Sequence, residues 1–213
     1  MLRAWRILTL VVAALAVCAG KARSEIVTIR IEGEISYVDS VSEWLNDNFT
    51  VGEIITGVYV YDTSTPDSSG SPNSGHYWHY TDPYGIYLDI GDIVVQTDPD
   101  NVEFFMSMVN TDVDDYYVIA SLRNLPIPNG PSVHRIGWQL DDPSATALSS
   151  DDLLATPPVL EHWQSIYGLT VEFGERGGWG IRGHINSATL IPEPTTCLLL
   201  ACGGIAFLRR RRL

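Results

Sequence analysis

The sequence predicts an all-β fold. It is read as an antiparallel β-sandwich, jelly-roll-like, carried between an N-terminal signal peptide and a short C-terminal transmembrane helix. Three observations predict it. Apolar and polar residues alternate along several short segments, the period of a strand with one buried face. Stretches rich in Gly, Pro, Asp and Ser separate these segments, and no long amphipathic helical pattern interrupts them. Residues 25–190 contain no cysteine, so no disulfide, thiolate zinc site or cysteine nucleophile belongs to them. Their number is ample for one hydrophobic core and one domain.

Taken in order, residues 27–37 place Val27, Ile29, Ile31 and Ile35 on one face and Thr28, Arg30, Glu32, Glu34 and Ser36 on the other. Residues 39–48 are polar around Trp44 and Leu45, a turn of helix or a loop. Residues 54–61 form a second strand, rich in β-branched and aromatic residues. Residues 62–75 (DTSTPDSSGSPNSG) are a loop by composition. Short strands are expected at 77–80, 86–90 and 93–97. Alternation returns at 102–109, with Val102, Phe104, Met106 and Met108 inward, and further strands follow at 116–122 and 133–140. Ser149 and Ser150 can each cap a short helical turn at 151–154, which Pro157 and Pro158 stop. Residues 169–173 and 181–191 are the last two strands, with the turn GERGGWG between them. Ile29, Ile31, Val58, Val60, Phe104, Met106, Val171 and Phe173 are the predicted core.

Only five of the 13 basic residues lie within 25–190, against 25 of the 26 acidic ones, a formal net charge of −20. Nucleic acid and anionic lipid both need a basic face, so neither is a partner of this domain.

Both ends of the chain carry membrane-directed patterns. Arg3 and Arg6 precede an apolar run at residues 7–17, and small residues follow at Ala19, Gly20, Ala22 and Ser24. This is the three-part layout of a secretory signal peptide. Cleavage after Ala19, Ala22 or Ser24 fits, with Ser24 favoured, so residues 1–24 are assigned to the signal. Val17 before Cys18 fits a lipidation site poorly. At the other end, Pro192, Glu193 and Pro194 precede an apolar run at 195–208, and Arg209, Arg210, Arg211 and Arg212 nearly close the chain. As a helix, 14 residues reach roughly 21 Å, short of a hydrocarbon core of about 30 Å. Cations beside such a run suit a cytoplasmic membrane face. These residues describe a short anchor.

In order and position, the triplet, the apolar run and the arginine cluster resemble the PEP-CTERM sorting signal of Gram-negative and related bacteria, with Ile191 where the family often has valine. The resemblance implies that residues 191–213 are recognised by an exosortase, a membrane-embedded cysteine transpeptidase that cuts near the triplet. It implies that signal peptidase and exosortase are partners during export and that the inner membrane holds the chain transiently. The destination it implies is the cell surface or extracellular matrix. An uncleaved tail anchor is the alternative. The segments VGEIITGVYVYDTSTPD and TALSSDDLLATPPVLEHW also resemble parts of uncharacterised β-sandwich proteins with the same tail, a resemblance that implies no activity.

Residues 25–190 show no G-x-S-x-G elbow, no H-E-x-x-H helix and no phosphate-cradling glycine loop. No catalytic residue, metal ligand set or cofactor is therefore assigned. In the run HYWHY, Tyr77, Trp78 and Tyr80 can form a sugar-stacking platform, with exopolysaccharide as the implied partner, or simply fill the core, the reading favoured here. His76 and His79 fall on opposite faces of a strand and cannot chelate one ion. The acidic groups Asp98, Asp100, Asn101 and Asp112, Asp114, Asp115 offer oxygens for calcium. They lack a complete calcium-loop pattern and read better as turn residues. The expected product is an exported, non-enzymatic surface or matrix protein. A carbohydrate-binding module, calcium-assisted or not, is the competing reading.

Overall fold

The computed structural model describes residues 26–164 and 168–192. The expectations for residues 1–24, for Glu193 and Pro194, for the apolar run at 195–208 and for the four arginines at 209–212 lie outside them. Along the chain come β1 (Ile26–Val38), α1 (Glu43–Asn48), β2 (Ile54–Asp62), β3 (Ser74–His79), β4 (Gly85–Ile90) and β5 (Ile93–Gln96). Then follow β6 (Phe104–Asn110), β7 (Asp115–Ser121), β8 (Val133–Asp142), a 3₁₀ turn (Leu160–His162), β9 (Leu169–Phe173) and β10 (Trp179–Leu190). Among the described residues no helix is long and apolar enough to cross a membrane.

All ten strands belong to one sheet, in the order β3-β6-β7-β8-β9-β10-β1-β2-β4-β5. Every neighbouring pair is antiparallel. The all-β antiparallel class is as expected, but a single curled sheet, a half-barrel, takes the place of two separate sheets. The curl brings β5 to the segment after β7. Leu125 N–H donates to the Gln96 carbonyl, Asp98 N–H to the Arg123 carbonyl, and the Thr97 hydroxyl to Ser121 Oγ at 2.8 Å. The other edge strand, β3, is shielded by the polar loop before it: His76 N–H donates to Asp67 Oδ1 at 2.7 Å and Ser68 N–H to the His76 carbonyl. Both edges thus find partners that discourage open strand pairing.

The core lies in the concavity, where the two arms of the sheet face each other. Tyr59 on β2 and Tyr117 on β7 meet hydroxyl to hydroxyl at 2.9 Å, and Trp138 on β8 packs edge-on against both rings. Burial holds both phenols well above their usual pKa, so both stay neutral. Ile29, Ile31, Phe104, Met106, Val171 and Phe173 are fully buried, as expected. Val58 and Val60 are a correction. They point outward and are half-buried, whereas Tyr59 and Tyr61 point inward. Both faces of β2 are apolar, so alternation alone left its facing open. The wide space between the arms takes the larger rings, and each hydroxyl finds an acceptor or partner, Tyr61 donating to the Leu154 carbonyl. The helical turn expected at 151–154 is also corrected. Asp152 N–H does reach Ser150 Oγ, but the segment is a bend, too short to repay helix nucleation.

Candidate functional site

The run HYWHY sits on β3 and continues one residue past it, and strand alternation divides it. Tyr77 and His79 turn inward and are buried. Tyr77 donates its hydroxyl to the Asp151 carbonyl at 2.7 Å. Its burial, helped by the charges of Asp67, Asp152 and Asp151, raises its pKa to about 12. His79 Nε2 accepts the Asp62 N–H at 3.1 Å and lies 3.0 Å from the Thr65 hydroxyl. Accepting the amide proton makes this nitrogen the unprotonated one, and desolvation lowers the ring's pKa.

His76, Trp78 and Tyr80 face the other way. Trp78 and Tyr80 hold their rings parallel, 4° apart in plane with centroids at 6.0 Å, and Tyr80 is 64% exposed. Phe105, the register partner of Trp78 on β6, joins them at 4.6 Å from Trp78 and 5.5 Å from His76. The outcome is an aromatic ledge on the outer face of the edge strand. The platform read from sequence is corrected at one position: Trp78 and Tyr80 do come together, but Tyr77 belongs to the core. Core filling, the favoured reading of the run, fails for Trp78 and Tyr80 in turn. Phe105 and His76 were missed, because Phe105 is joined to the run only through the β3–β6 register. The alternation of 102–109 already pointed Phe105 outward.

The acidic groups accept from nearby backbone amides and side-chain hydroxyls. Asp98 Oδ1 accepts the Asp100 N–H, and Asp114 takes the hydroxyls of Thr111 and Tyr116. Asp115, fully buried, accepts the Leu148 N–H at 2.8 Å. Beside it in the β7–β8 register, Asp142 accepts bonds from Ser144, Thr146 and Ala147, led by the Ser144 hydroxyl, and these hold its carboxyl well below the usual range. The pair clamps the loop after β8. Among the described residues no three His, Cys, Asp or Glu side chains converge as a metal ion requires. Glu161 and His162 are exposed on the 3₁₀ turn, with Trp163 buried beside them.

A second place on the outer face was not foreseen from sequence. Tyr37, Asp39, Glu172, Trp179 and Arg182 line a cavity of about 240 Å³ where β1, β9 and β10 run side by side. The β-strand register collects them, since Tyr37 opposes Arg182 and Gly180 opposes Glu172.

Of the sorting triplet only Pro192 is described. It is exposed, just beyond Ile191, whose N–H donates to the Thr28 carbonyl. No protein-family model, curated protein or solved structure matches the chain.

Proposed function

We propose that the chain is an exported, non-enzymatic protein delivered to the cell surface or extracellular matrix through its C-terminal tail. On this reading signal peptidase removes residues 1–24. Residues 195–208 hold the chain in the inner membrane, the arginines at 209–212 stop transfer, and an exosortase acts at Pro192, Glu193 and Pro194. The observation that carries it is the ordered three-part tail at the C-terminus. One structural feature supports it. Ile29 pairs with Leu190, so the start of β1 and the end of β10 lie at one end of the sheet, the end this reading turns toward the membrane. The exposed Pro192 leaves the triplet's first residue open to an enzyme.

Replacing Pro192, Glu193 and Pro194 with alanine should trap full-length protein in the membrane with the sheet intact. Deleting residues 195–213 should release it unsorted. Mass spectrometry of surface protein decides: intact peptides spanning residues 194–209 in the mature fraction would make the tail a permanent anchor.

A second reading concerns the domain itself. The curled sheet acts as a sandwich-like, jelly-roll-like module whose ledge stacks on a polysaccharide of the matrix. The parallel, exposed rings of Trp78 and Tyr80 favour it. A glycan array probed with the wild type and with Trp78→Ala tests it, and equal binding by both removes the ledge from consideration.

A further inference from the structure

We propose that the cavity between β1, β9 and β10 binds one neutral sugar ring, gripping a vicinal pair of its hydroxyls between Arg182 and Glu172. The proposal stands apart from both the sorting tail and the ledge.

The floor of the cavity is Gly180. A Cβ there would run into the Val171 carbonyl, so position 180 puts no side chain of its own between Glu172 and Asp39. Asp39 is fixed beside it, its N–H donating to the Gly180 carbonyl at 2.9 Å and its Oδ1 accepting the Val41 N–H. The phenol ring of Tyr37 forms the apolar part of the wall and lies under the Arg182 guanidinium at 5.6 Å. This contact holds Arg182 at the rim without consuming its N–H donors. Trp179 meets the cavity from the core side, its ring stacked on Phe173, its register partner.

Arg182 and Glu172 sit diagonally across neighbouring strands, since Arg182 opposes Thr170 two residues before Glu172. Opposite charges at such spacing are within reach of each other. Yet among the described residues the one ion pair is Arg123 with Glu103. Arg182 is one of only five cations in residues 25–190. Among the described residues Arg182 joins no ion pair, and it shares the lining of the cavity with Glu172, whose register partner on β8 is Arg135 and which joins none either.

That arrangement selects a ligand class. An anion meets Glu172 and Asp39, and a cation meets Arg182. A neutral ligand carrying a donor and an acceptor on adjacent atoms satisfies both: one hydroxyl donates to Glu172 while its neighbour accepts from Arg182. Charge-assisted bonds of this kind are the strong ones. The flat apolar face of a pyranose matches the phenol ring of Tyr37. At about 240 Å³ the cavity falls below the roughly 300–1,000 Å³ of drug-sized sites, which suits a single ring at a chain end rather than the middle of a polymer. The site also lies at the far end of β1 from Ile26. Over 13 residues that is roughly 40 Å at strand rise, so on the sorting reading it faces away from the membrane.

The test titrates the full chain in detergent with the methyl glycosides of glucose, galactose, mannose and N-acetylglucosamine, followed by calorimetry and ligand-observed NMR. At least one glycoside should bind saturably. Arg182→Ala and Glu172→Ala should each weaken that binding about tenfold or more, with thermal unfolding unchanged because both side chains are solvent-facing. The Trp78→Ala, Tyr80→Ala double variant should bind as the wild type does. No saturable binding by any of the four, or binding that survives both pocket variants, overturns the proposal. So does binding lost only with the ledge rings, which would support the ledge reading instead.

Discussion

The ledge and the cavity both display aromatic rings on the outer face of the sheet, Trp78 and Tyr80 at one and Tyr37 at the other, but they spend those rings differently. On the ledge, Trp78 packs against Phe105 and Tyr80, and His76 packs against Phe105. The rings pack on one another. In the cavity, Tyr37 lies under Arg182, and among the described residues neither Arg182 nor Glu172 joins an ion pair across the glycine-floored space. Exposed aromatic area is common to both. Uncommitted polar groups around a space that cannot fill itself distinguish the cavity. The difference teaches that a ring on a surface becomes a specific site only when polar groups nearby still lack partners.

The largest effect separates the two faces of the strand under the ledge. Phe104 is fully buried and Phe105, its neighbour, faces out. Phe104→Ala should cost about 3–5 kcal/mol in chemical denaturation, from lost transfer energy plus the cavity left behind. Phe105→Ala removes only ring contacts with Trp78 and His76 and should cost about 1 kcal/mol. Equal losses would mean that the ledge is core in disguise and has no free surface to compare with the cavity.

Next in size is the floor of the cavity. Gly180→Ala drives a methyl group into the Val171 carbonyl, and relief requires β9 and β10 to separate. The expected cost is about 1–3 kcal/mol. Glu172→Ala, on the same row of the register, should stay within about 0.5 kcal/mol because that half-buried side chain joins no ion pair among the described residues. A Gly180→Ala protein as stable as the wild type would show that the floor yields, and the empty space would lose its structural reason.

How much of this was legible beforehand differs between the two places. Alternation in residues 27–37 and 102–109 gave the facing of Ile29, Ile31, Phe104 and Met106, because polar residues fill the opposite face of β1, and Glu103 and Ser107 mark that of β6. It failed at Val58 and Val60, where both faces of the strand are apolar and side-chain volume decides. The ledge was half legible: Trp78 and Tyr80 stand two apart in one strand, so they must share a face, and the same rule sends Tyr77 inward. The cavity was not legible at all. Tyr37, Glu172 and Arg182 lie on three strands, and only the β1–β10–β9 register joins them. The strand order of a sheet cannot be read from alternation, so neither can a site built across strands. One continuous curled sheet was hidden for the same reason, since separate sheets and one folded-over sheet share the same strand pattern.

The smallest expected effect concerns acid, and it should fall on the ledge alone. His79 lies directly behind Trp78 in β3, buried, with Nε2 accepting the Asp62 N–H. Desolvation lowers its pKa from the ordinary 6.5, outweighing the raising influence of Asp62. The unfolded chain therefore takes up a proton first as pH falls. Stability contributed by the neutral ring is complete above the unfolded value and is lost as pH falls from about 6.5 toward the folded pKa. Protonation at Nε2 also turns the acceptor of the Asp62 amide into a donor, which loosens the join between β2 and β3. Native-state hydrogen exchange between pH 7 and pH 5, corrected for the intrinsic rate, should show β3 amides losing protection while those of β10 beside the cavity hold theirs. His79→Gln keeps an acceptor for the amide without a titrating ring, and should remove the β3 response. Loss of protection in both strands together, or an unchanged response in the glutamine variant, would locate the acid sensitivity elsewhere, with the Asp142 carboxylate, held low by its hydrogen bonds, the next group to test.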